Sequence, residues 1–347
     1  MRTNHFLRSI QEDSHPVKQR SSETEIEFYK NHVSRVEVDA TTIEINPSSR
    51  LYFAGSCFAE NLFSYWQEHF LSGALSPFGS TYNPVSLRDS LCLICEYQEV
   101  KEEDLFLHNE LWRHPLFNTL MADKTASVVT SRINKSLMNH RLLLQQSDFL
   151  ILTLGTAYVY EEIKTHNIVN NCHRRPSTEF RRYALTVEMI VEALESLMKA
   201  VRKINPGIKL ILTLSPVRHL RDKASENSLS KALLRCGIEE FLNRDHDSEY
   251  FPSYEILLDE LRDYRWYTED LVHPSDAALK YIMSRFCESR GNDALKLYLK
   301  DSEALSRMNR HKVLHPDTEE GRNFMALKEA KKQDFLKKYP FTTLKDF

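Results

Sequence analysis

Three short stretches of the chain are almost wholly apolar, and longer segments of mixed polarity separate them. They cover residues 51–54, 148–154 and 208–214, and each has the length of a strand. Continuous apolar runs are typical of strands that are buried on both faces, as in a parallel sheet covered by helices. The pattern therefore predicts an α/β fold with a parallel sheet.

Apolar residues at helical spacing predict the elements between these strands. Two prolines and a glycine indicate that residues 76–84 form a loop. Residues 104–112 are predicted to form a short hairpin or loop, and residues 250–254 a last short strand. The predicted helices cover residues 59–70, 85–97, 128–145, 185–204, 228–243 and 276–290.

Polarity divides the chain into three predicted parts. Residues 1–45 are polar and weakly patterned, which predicts an N-terminal extension with at most short elements. Residues 46–290 carry the strand and helix pattern and form the predicted α/β domain. Residues 291–347 are strongly charged and predict a helical C-terminal extension at the periphery.

Composition narrows the class of protein. Of the 347 residues, 41% are hydrophobic and 27% charged, and the net charge of −3 predicts no attraction to nucleic acid or to a membrane surface. The first residues lack a secretory apolar region, and no apolar run reaches the roughly 20 residues of a membrane span. The six cysteines are scattered along the chain, which is typical of reduced thiols, so we expect a cytoplasmic protein.

The first predicted strand ends in Gly55-Ser56-Cys57, directly before a predicted helix. A turn of this kind exposes a nucleophile at the carboxyl end of a strand, and the first N–H groups of the helix can hold an oxyanion. Ser56 and Cys57 are both candidate nucleophiles. In a parallel sheet the carboxyl ends of the strands share one edge, where ligands bind.

Asp270 and His273 precede the last predicted helix of the α/β domain. A histidine is a suitable general base for a nucleophile, and a carboxylate on its other ring nitrogen fixes the tautomer. The alternative is a capping segment, in which Ser275 caps the helix and His273 is an ordinary solvated residue.

Three further patterns have competing interpretations. Cys92 and Cys95 have redox or zinc-site spacing, but their apolar helical surroundings favour core packing. Residues 171–175 could bind an anionic group or form a solvated loop, and residues 262–265 favour an internal salt-bridge network over substrate contact. No phosphate loop, dinucleotide fingerprint or metal-ligand set is present, so no cofactor and no metal are expected.

Several motifs resemble those of the GSCFA domain family, which is placed with the SGNH (GDSL-like) hydrolase superfamily. The name motif is Gly55-Ser56-Cys57-Phe58-Ala59, and further matches run from about residue 45 to residue 290. They include residues 78–84, 154–157, 171–173, 215–219, 227, 230–231, 262–265 and 270–274. The resemblance implies a three-layer α/β/α sandwich of the SGNH-hydrolase (flavodoxin-like) type.

The resemblance also implies roles for individual residues. Aligning the first block of the superfamily on Gly55 places Cys57, rather than Ser56, at the nucleophile, and the last block falls on Asp270 and His273. Gly155 matches the glycine of the third block, but the asparagine that completes the oxyanion hole is missing. The residues expected to bind oxyanion or substrate are Gly79, Asn83, Gly155, Thr156, Asn171, His173, Arg218 and His219.

Two classes of function follow from these residues. The first is an esterase or acyltransferase with a triad of Cys57 (or Ser56), His273 and Asp270, acting on a small-molecule or carbohydrate ester. The second is a non-catalytic descendant that binds a carbohydrate or acyl ligand, which the missing asparagine favours. The acyl group, its acceptor and the oligomeric state stay open.

Overall fold

The computed structural model describes residues 35–39, 41–218, 222–311 and 313–342. Residues 36–347 form one compact unit, and a separate unit, residues 1–35, lies outside the described ranges except for its last residue. The predicted elements of residues 1–34 therefore lie outside the described residues.

A five-stranded parallel sheet forms the centre of the described unit. The strands of the described residues are β1 (Leu51–Gly55), β2 (Gly73–Leu75), β3 (Phe106–His108), β4 (Leu111–Arg113), β5 (Phe149–Leu154), β6 (Tyr158–Glu162), β7 (Ile168–Val169), β8 (Phe180–Ala184), β9 (Lys209–Leu214) and β10 (Ser248–Phe251). The sheet order is β2-β1-β5-β9-β10. Numbered along the chain, these five strands have the order 2-1-3-4-5, the flavodoxin-like winding whose switch point lies between β1 and β5.

Eight longer helices accompany the strands. They are α1 (Cys57–Glu68), α2 (Pro84–Glu96), α3 (Ala126–Gln145), α4 (Val187–Ile204), α5 (Ala224–Leu242), α6 (Asp276–Arg290), α7 (Asp293–Arg310) and α8 (Glu319–Lys338). A helical turn at Ser253–Glu255 continues into a π-helix at Ile256–Leu261. The predicted boundaries of α1 to α6 are reproduced within a few residues.

Alternation along the strands divides the core between the two faces of the sheet. Tyr52 and Ala54 of β1 are buried in one hydrophobic cluster with residues of α2, α3, α4 and α5. Leu51 and Phe53 are buried in a second cluster with residues of α1, the π-helix, α6 and α7. Side chains of a strand point alternately to opposite faces, so helices cover both sides. The predicted three-layer α/β/α sandwich is confirmed.

Some elements are not predicted by the sequence pattern. Strands β6, β7 and β8 form a separate antiparallel sheet, in which Tyr158–Glu162 pairs with Phe180–Ala184. Charged residues are frequent in these strands because the sheet is only partly covered. The short strand β2 also escapes the apolar pattern, since it begins with a glycine and has only three residues. The hairpin predicted near residues 104–112 is present as β3 and β4.

The charged C-terminal part is helical, as predicted, and one face of it packs into the second cluster. Leu295, Tyr298 and Leu305 of α7 are buried in the second cluster, and Phe335 and Tyr339 join them from the region of α8. Polar residues dominate this part of the sequence and lie on the outer face of the helices. The few apolar residues that are buried therefore do not stand out in the composition. Within the described residues, no helix combines the length and the apolar character that crossing a bilayer requires.

Candidate active site

The turn between β1 and α1 depends on a glycine. Gly55 has a φ of +134°, a value that side chains rarely allow, and a Cβ built on it would lie 2.2 Å from the carbonyl oxygen of Thr153. The neighbouring strand β5 therefore passes too close for any side chain at this position. This close approach places Ser56 and Cys57 at the carboxyl edge of the sheet, beside its switch point.

Ser56 is bound into the structure through its hydroxyl group. Its side chain is 1% exposed; Oγ lies 3.0 Å from Thr153 Oγ1 and accepts a hydrogen bond from the N–H of Phe58 at 3.3 Å. It is the N-cap of α1, the position where serine stabilises a helix by accepting from its first N–H groups. This hydroxyl serves the turn instead of facing a ligand.

Cys57 is the first residue of α1 and is partly exposed. Burial raises the pKa of its thiol, the carboxylate of Glu60 raises it further, and the charge of Lys231 lowers it. The N–H groups of Phe58 and Cys57 also lower this pKa by hydrogen bonding to the sulfur. The thiol thus lies at a helix N-terminus, between an acidic and a basic side chain.

The loop that carries Gly79 lies against this turn. The N–H of Thr81 donates to the carbonyl oxygen of Gly55 at 2.6 Å, and Ser80 Oγ donates to Glu60 Oε1 at 2.9 Å. Gly79 has a φ of +76°, and its N–H donates no hydrogen bond within the described ranges. Asn83 is the N-cap of α2, where Oδ1 accepts from Ser86 N at 2.8 Å and Nδ2 donates to Ser86 Oγ at 3.0 Å.

The segment after β5 closes the other side of the switch point. The N–H groups of Gly155 and Thr156 both donate to the carbonyl oxygen of Tyr82, at 2.8 and 3.0 Å. The hydroxyl of Thr156 lies 3.0 Å from Ser230 Oγ and accepts from Tyr158 N. These groups hold the loop together, and their donors are already used. Tyr82 lies near Cys57, whose charge contributes, after burial, to a raised pKa of the phenol.

Asp270 and His273 form a hydrogen-bonded pair on an exposed loop. The imidazole Nδ1 lies 2.6 Å from Asp270 Oδ2, and the other carboxylate oxygen accepts from Thr268 Oγ1 and from the N–H groups of Val272 and His273. The Thr268 hydroxyl and these other bonds hold the pKa of Asp270 well below its usual range. Because a carboxylate only accepts, Nδ1 donates in this pair, and in the neutral imidazole the lone pair is then on Nε2.

The structure brings Asp270 and His273 together but forms no hydrogen bond from His273 to Ser56 or Cys57 in the part of the chain that it describes. The histidine side chain is 47% exposed. Its loop is tied to Tyr267 by a bridge to Pro274, and burial raises the pKa of that tyrosine.

The remaining predicted residues have diverse positions. Arg218 is exposed after β9, and His219 lies outside the described residues. Asn171 Oδ1 accepts from His173 N at 2.7 Å, and His173 is buried, with Nε2 3.1 Å from the carbonyl oxygen of His114. Arg175 pairs with Glu162, so residues 171–175 contribute to the internal packing of the small sheet.

One residue at this edge has no role in the sequence-based prediction. Lys231 of α5 is 3% exposed, and its Nζ donates to the carbonyl oxygens of Gly155 at 2.7 Å and Ser215 at 2.6 Å. Its position among Asn227, Leu234 and Ile238 on the buried face of α5 is the signal that the sequence contained. Burial lowers the pKa of Lys231 to about 7, the charge of Cys57 raises it and that of Arg218 lowers it further.

Among the described residues, no group of three or more histidine, cysteine or acidic side chains could hold a metal ion. Cys92 and Cys95 are free thiols in α2, and Cys95 is buried in the core. The chemistry available at the edge of the sheet is therefore that of a thiol, an amine, an imidazole and carboxylates.

Comparison with known families gives one match that covers most of the chain. The sequence model of the GSCFA family matches residues 50–286, which include the turn after β1 and the Asp270–His273 loop. Among proteins with curated descriptions, none matches the chain significantly.

Solved structures with partial similarity have low identity to the chain. An acetyl xylan esterase from Butyrivibrio proteoclasticus matches with 11% identity and a TM-score of 0.37, over 72% of this chain and 64% of the other. A carbohydrate esterase of family 3 from Talaromyces cellulolyticus matches with 11% identity and a TM-score of 0.36, over 73% of this chain and 99% of the other. A family two carbohydrate esterase from Clostridium thermocellum matches with 11% identity and a TM-score of 0.36, over 73% of this chain and 66% of the other.

Proposed function

We propose that this chain, which belongs to the GSCFA family, is an SGNH-like esterase or acyltransferase whose nucleophile is Cys57. The observation that carries the proposal is the pairing of His273 Nδ1 with Asp270 Oδ2 at 2.6 Å, which in the neutral imidazole makes Nε2 the acceptor nitrogen. Cys57 supplies a thiol at a helix N-terminus on the ligand-binding edge of the sheet. The burial of Ser56 also favours Cys57 over Ser56 as the nucleophile, because the serine hydroxyl is used as a helix cap.

The proposed reaction has two stages that conserve every proton. His273 takes the proton of the Cys57 thiol, and the sulfur attacks the acyl carbon of an ester. The carbon–oxygen bond of the ester breaks, and the imidazolium gives its proton to the leaving alkoxide. Water or a hydroxyl acceptor then loses a proton to His273 and attacks the thioester, the carbon–sulfur bond breaks, and the imidazolium returns its proton to the sulfur. Asp270 orients the ring and stabilises the imidazolium.

The oxyanion would be held by the N–H groups of Cys57 and Gly79. The Gly79 N–H has no acceptor in the described part of the chain, and the adjacent Ser80 and Thr81 fix its loop to α1 and to Gly55. The third donor of the superfamily is missing, and losing one such donor costs about 3–4 kcal/mol of transition-state stabilisation. We therefore expect modest rates and substrates with activated esters, with O-acylated carbohydrates the class to test first.

Labelling with an electrophilic acyl probe tests the proposal. We expect acylation of Cys57, found by mass spectrometry, and its loss in Cys57→Ala and His273→Ala. Ser64→Ala is the matched control, because Ser64 is an exposed residue on the same helix whose hydroxyl donates to the carbonyl oxygen of Glu60. Absence of label at both Ser56 and Cys57 would contradict the proposal, and label at Ser56 would transfer the role of nucleophile to the serine.

A second function has one observation in its favour. The N–H groups of Gly155 and Thr156 are bonded to Tyr82, so the third block offers neither an amide side chain nor a free backbone donor. This supports a non-catalytic protein that binds a carbohydrate or acyl ligand. Such a protein would be stabilised by ligand without turnover of acetyl or aryl esters, and Cys57→Ala would bind as well as the wild type.

A further inference from the structure

Asn118 lies against the loop of residues 76–84, although none of the motifs named above includes it. It belongs to the segment between β4 and α3. A Cβ built on Gly79 would lie 2.5 Å from Asn118 Nδ2, 3.1 Å from its Cβ and 3.2 Å from its Cγ. The side-chain amide is therefore packed directly on the glycine whose N–H is the proposed oxyanion donor.

Buried aromatic rings hold these two residues together. Phe78 and Phe117 precede Gly79 and Asn118 in the sequence, and both are fully buried. Their ring centroids lie 4.3 Å apart, and the N–H of Phe117 donates to the carbonyl oxygen of His114 at 3.2 Å. The contact between Gly79 and Asn118 is therefore fixed by the core of the protein.

The hydrogen bond of the Asn118 side chain determines which way its amide faces. Oδ1 accepts from the N–H of Leu120 at 3.0 Å and so caps the short 3₁₀ helix Thr119–Met121. Because the oxygen is the acceptor end of the amide, Nδ2 is the end in contact with Gly79. Within the described part of the chain, neither Nδ2 nor the N–H of Gly79 donates a hydrogen bond.

These two unused donors are close enough to share one acceptor. From the 2.5 Å contact and standard backbone dimensions, Gly79 N and Asn118 Nδ2 are no more than about 5 Å apart. An oxygen that accepts from two N–H groups lies about 2.9 Å from each nitrogen, so the two nitrogens can be up to roughly 5.8 Å apart. One oxygen atom can therefore bind both donors.

The loop with these donors is bonded on both sides of Cys57. Thr81 N donates to the carbonyl oxygen of Gly55 at 2.6 Å, one residue before the helix cap. Ser80 Oγ donates to Glu60 Oε1 at 2.9 Å, in the first turn of α1. The loop thus follows the turn and the helix start that carry the proposed nucleophile.

We propose that the side-chain amide of Asn118 is a catalytic oxyanion donor, which binds the acyl oxygen together with the N–H groups of Gly79 and Cys57. This inference rests on the function proposed above and supplies the amide that the third block lacks. When the sulfur attacks, the electron pair of the carbonyl double bond moves onto the oxygen, and it returns when the alkoxide leaves. Asn118 exchanges no proton, so His273 keeps its role. The modest rates expected from the third block alone are then those of a variant without this amide.

Substitutions that keep the helix cap separate this role from a structural one. Asn118→Ser and Asn118→Asp both retain an oxygen that can cap the 3₁₀ helix, but neither has an amide N–H. We expect nitrophenolate release from 4-nitrophenyl acetate to have a kcat lower by about a hundredfold in Asn118→Ser, with KM nearly unchanged. The loss should be larger in Asn118→Asp, because a carboxylate repels an oxyanion. Asn139→Asp, at an exposed position of α3, is the control for the added charge and should behave as wild type.

A residue that only caps the helix would give a different result. Asn118→Ser and Asn118→Asp would then both be as active as the wild type. That outcome, in variants whose fold is confirmed by circular dichroism, would overturn the role of Asn118 and retain the esterase.

Protection of the thiol by a tetrahedral anion tests the donors when no ester is turned over. Methylphosphonate resembles the tetrahedral intermediate in shape and charge, so it should slow the alkylation of Cys57 by iodoacetamide, with the exposed Cys236 as reference. The concentration for half protection should be about tenfold higher in Asn118→Ser. Protection that depends on Asn118 in a protein that is never acylated would retain the donor and refute the esterase. In such a protein, equal protection in wild type and variant, or none in either, would overturn the inference.

Discussion

Two groups of titratable side chains border the carboxyl edge of the sheet, and the chain holds them in different ways. Asp270 and His273 lie three residues apart on an exposed loop, and short-range hydrogen bonds from Thr268 and Val272 fix them. Cys57 and Lys231 come from distant helices, and the carbonyl oxygens that bind Lys231 follow the adjacent strands β5 and β9. The exposed pair can be changed without cost to the core, whereas Lys231 is buried.

The largest effect on stability is expected at the turn beneath Cys57. Gly55→Ala would place a methyl group 2.2 Å from Thr153 O at a φ of +134°, and should lower the free energy of unfolding by at least about 3 kcal/mol. Urea denaturation measures this. Gly207→Ala is the control, because nothing lies within 4 Å of a Cβ there. Equal stability of Gly55→Ala and wild type would show that the turn relaxes.

The exposed pair should respond in activity rather than in stability. Asp270→Asn removes the acceptor that fixes the His273 tautomer, so acyl labelling or ester turnover should fall by about a hundredfold or more. The thermal midpoint should hardly change, because both side chains are 47% exposed. Asp276→Asn, an exposed carboxylate at the start of α6, should behave as wild type. Full activity in Asp270→Asn would remove the exposed pair from the mechanism.

The buried lysine should make stability depend on pH above neutrality. Burial lowers the pKa of Lys231 to about 7 in the folded protein, so between about pH 7 and 10 the unfolded chain binds more protons. Stability should therefore rise with pH, by at most about 1.4 kcal/mol per pH unit, and Lys231→Met should lack this increment.

Cys57→Ala is the background for that experiment, since a thiol of raised pKa contributes with the opposite sign. Urea unfolding at pH 7, 8 and 9 gives the slopes, and exposed Lys280→Met should keep the slope of its parent. Parallel slopes for Lys231→Met and its parent would show that the buried amine titrates like an exposed one.

The smallest effect is expected at Ser56. Ser56→Ala removes the N-cap of α1 and its bond with Thr153, and should cost about 1 kcal/mol of stability. Acylation of Cys57 should persist, measured by the same probe, because the serine hydroxyl is directed into the turn. Loss of labelling in a folded Ser56→Ala would place the serine in the chemistry.

Local features of the sequence predict one part of this site better than the other. The spacing of Asp270 and His273 and the apolar run before Gly55 are visible within a few residues, and the structure retains both features. Lys231 has no chemical signal beyond its place on the buried face of α5 and in the motif at residues 230–231, because its carbonyl acceptors come from loops after two other strands.

Other differences between the prediction and the structure arise where a residue has a local role that the pattern does not show. Asn83 precedes Pro84, a pair typical of a helix start, and its amide nitrogen, the group that an oxyanion would need, donates to Ser86 Oγ. Strands β6 and β8 carry charged residues because few elements cover them, so the apolar pattern does not indicate them. The parallel sheet is predicted well because its buried strands leave no choice of residue type.

The position of α7 and α8 decides which fragments of this protein can be produced. The family match ends at residue 286, before the helices that bury Tyr298 and Phe335 against α1 and α6. A fragment that ends there would contain every residue of the candidate site and would still uncover an apolar surface, with aggregation as the expected result. Expression designs should therefore extend through Thr342, whose hydroxyl lies 3.2 Å from that of Tyr298.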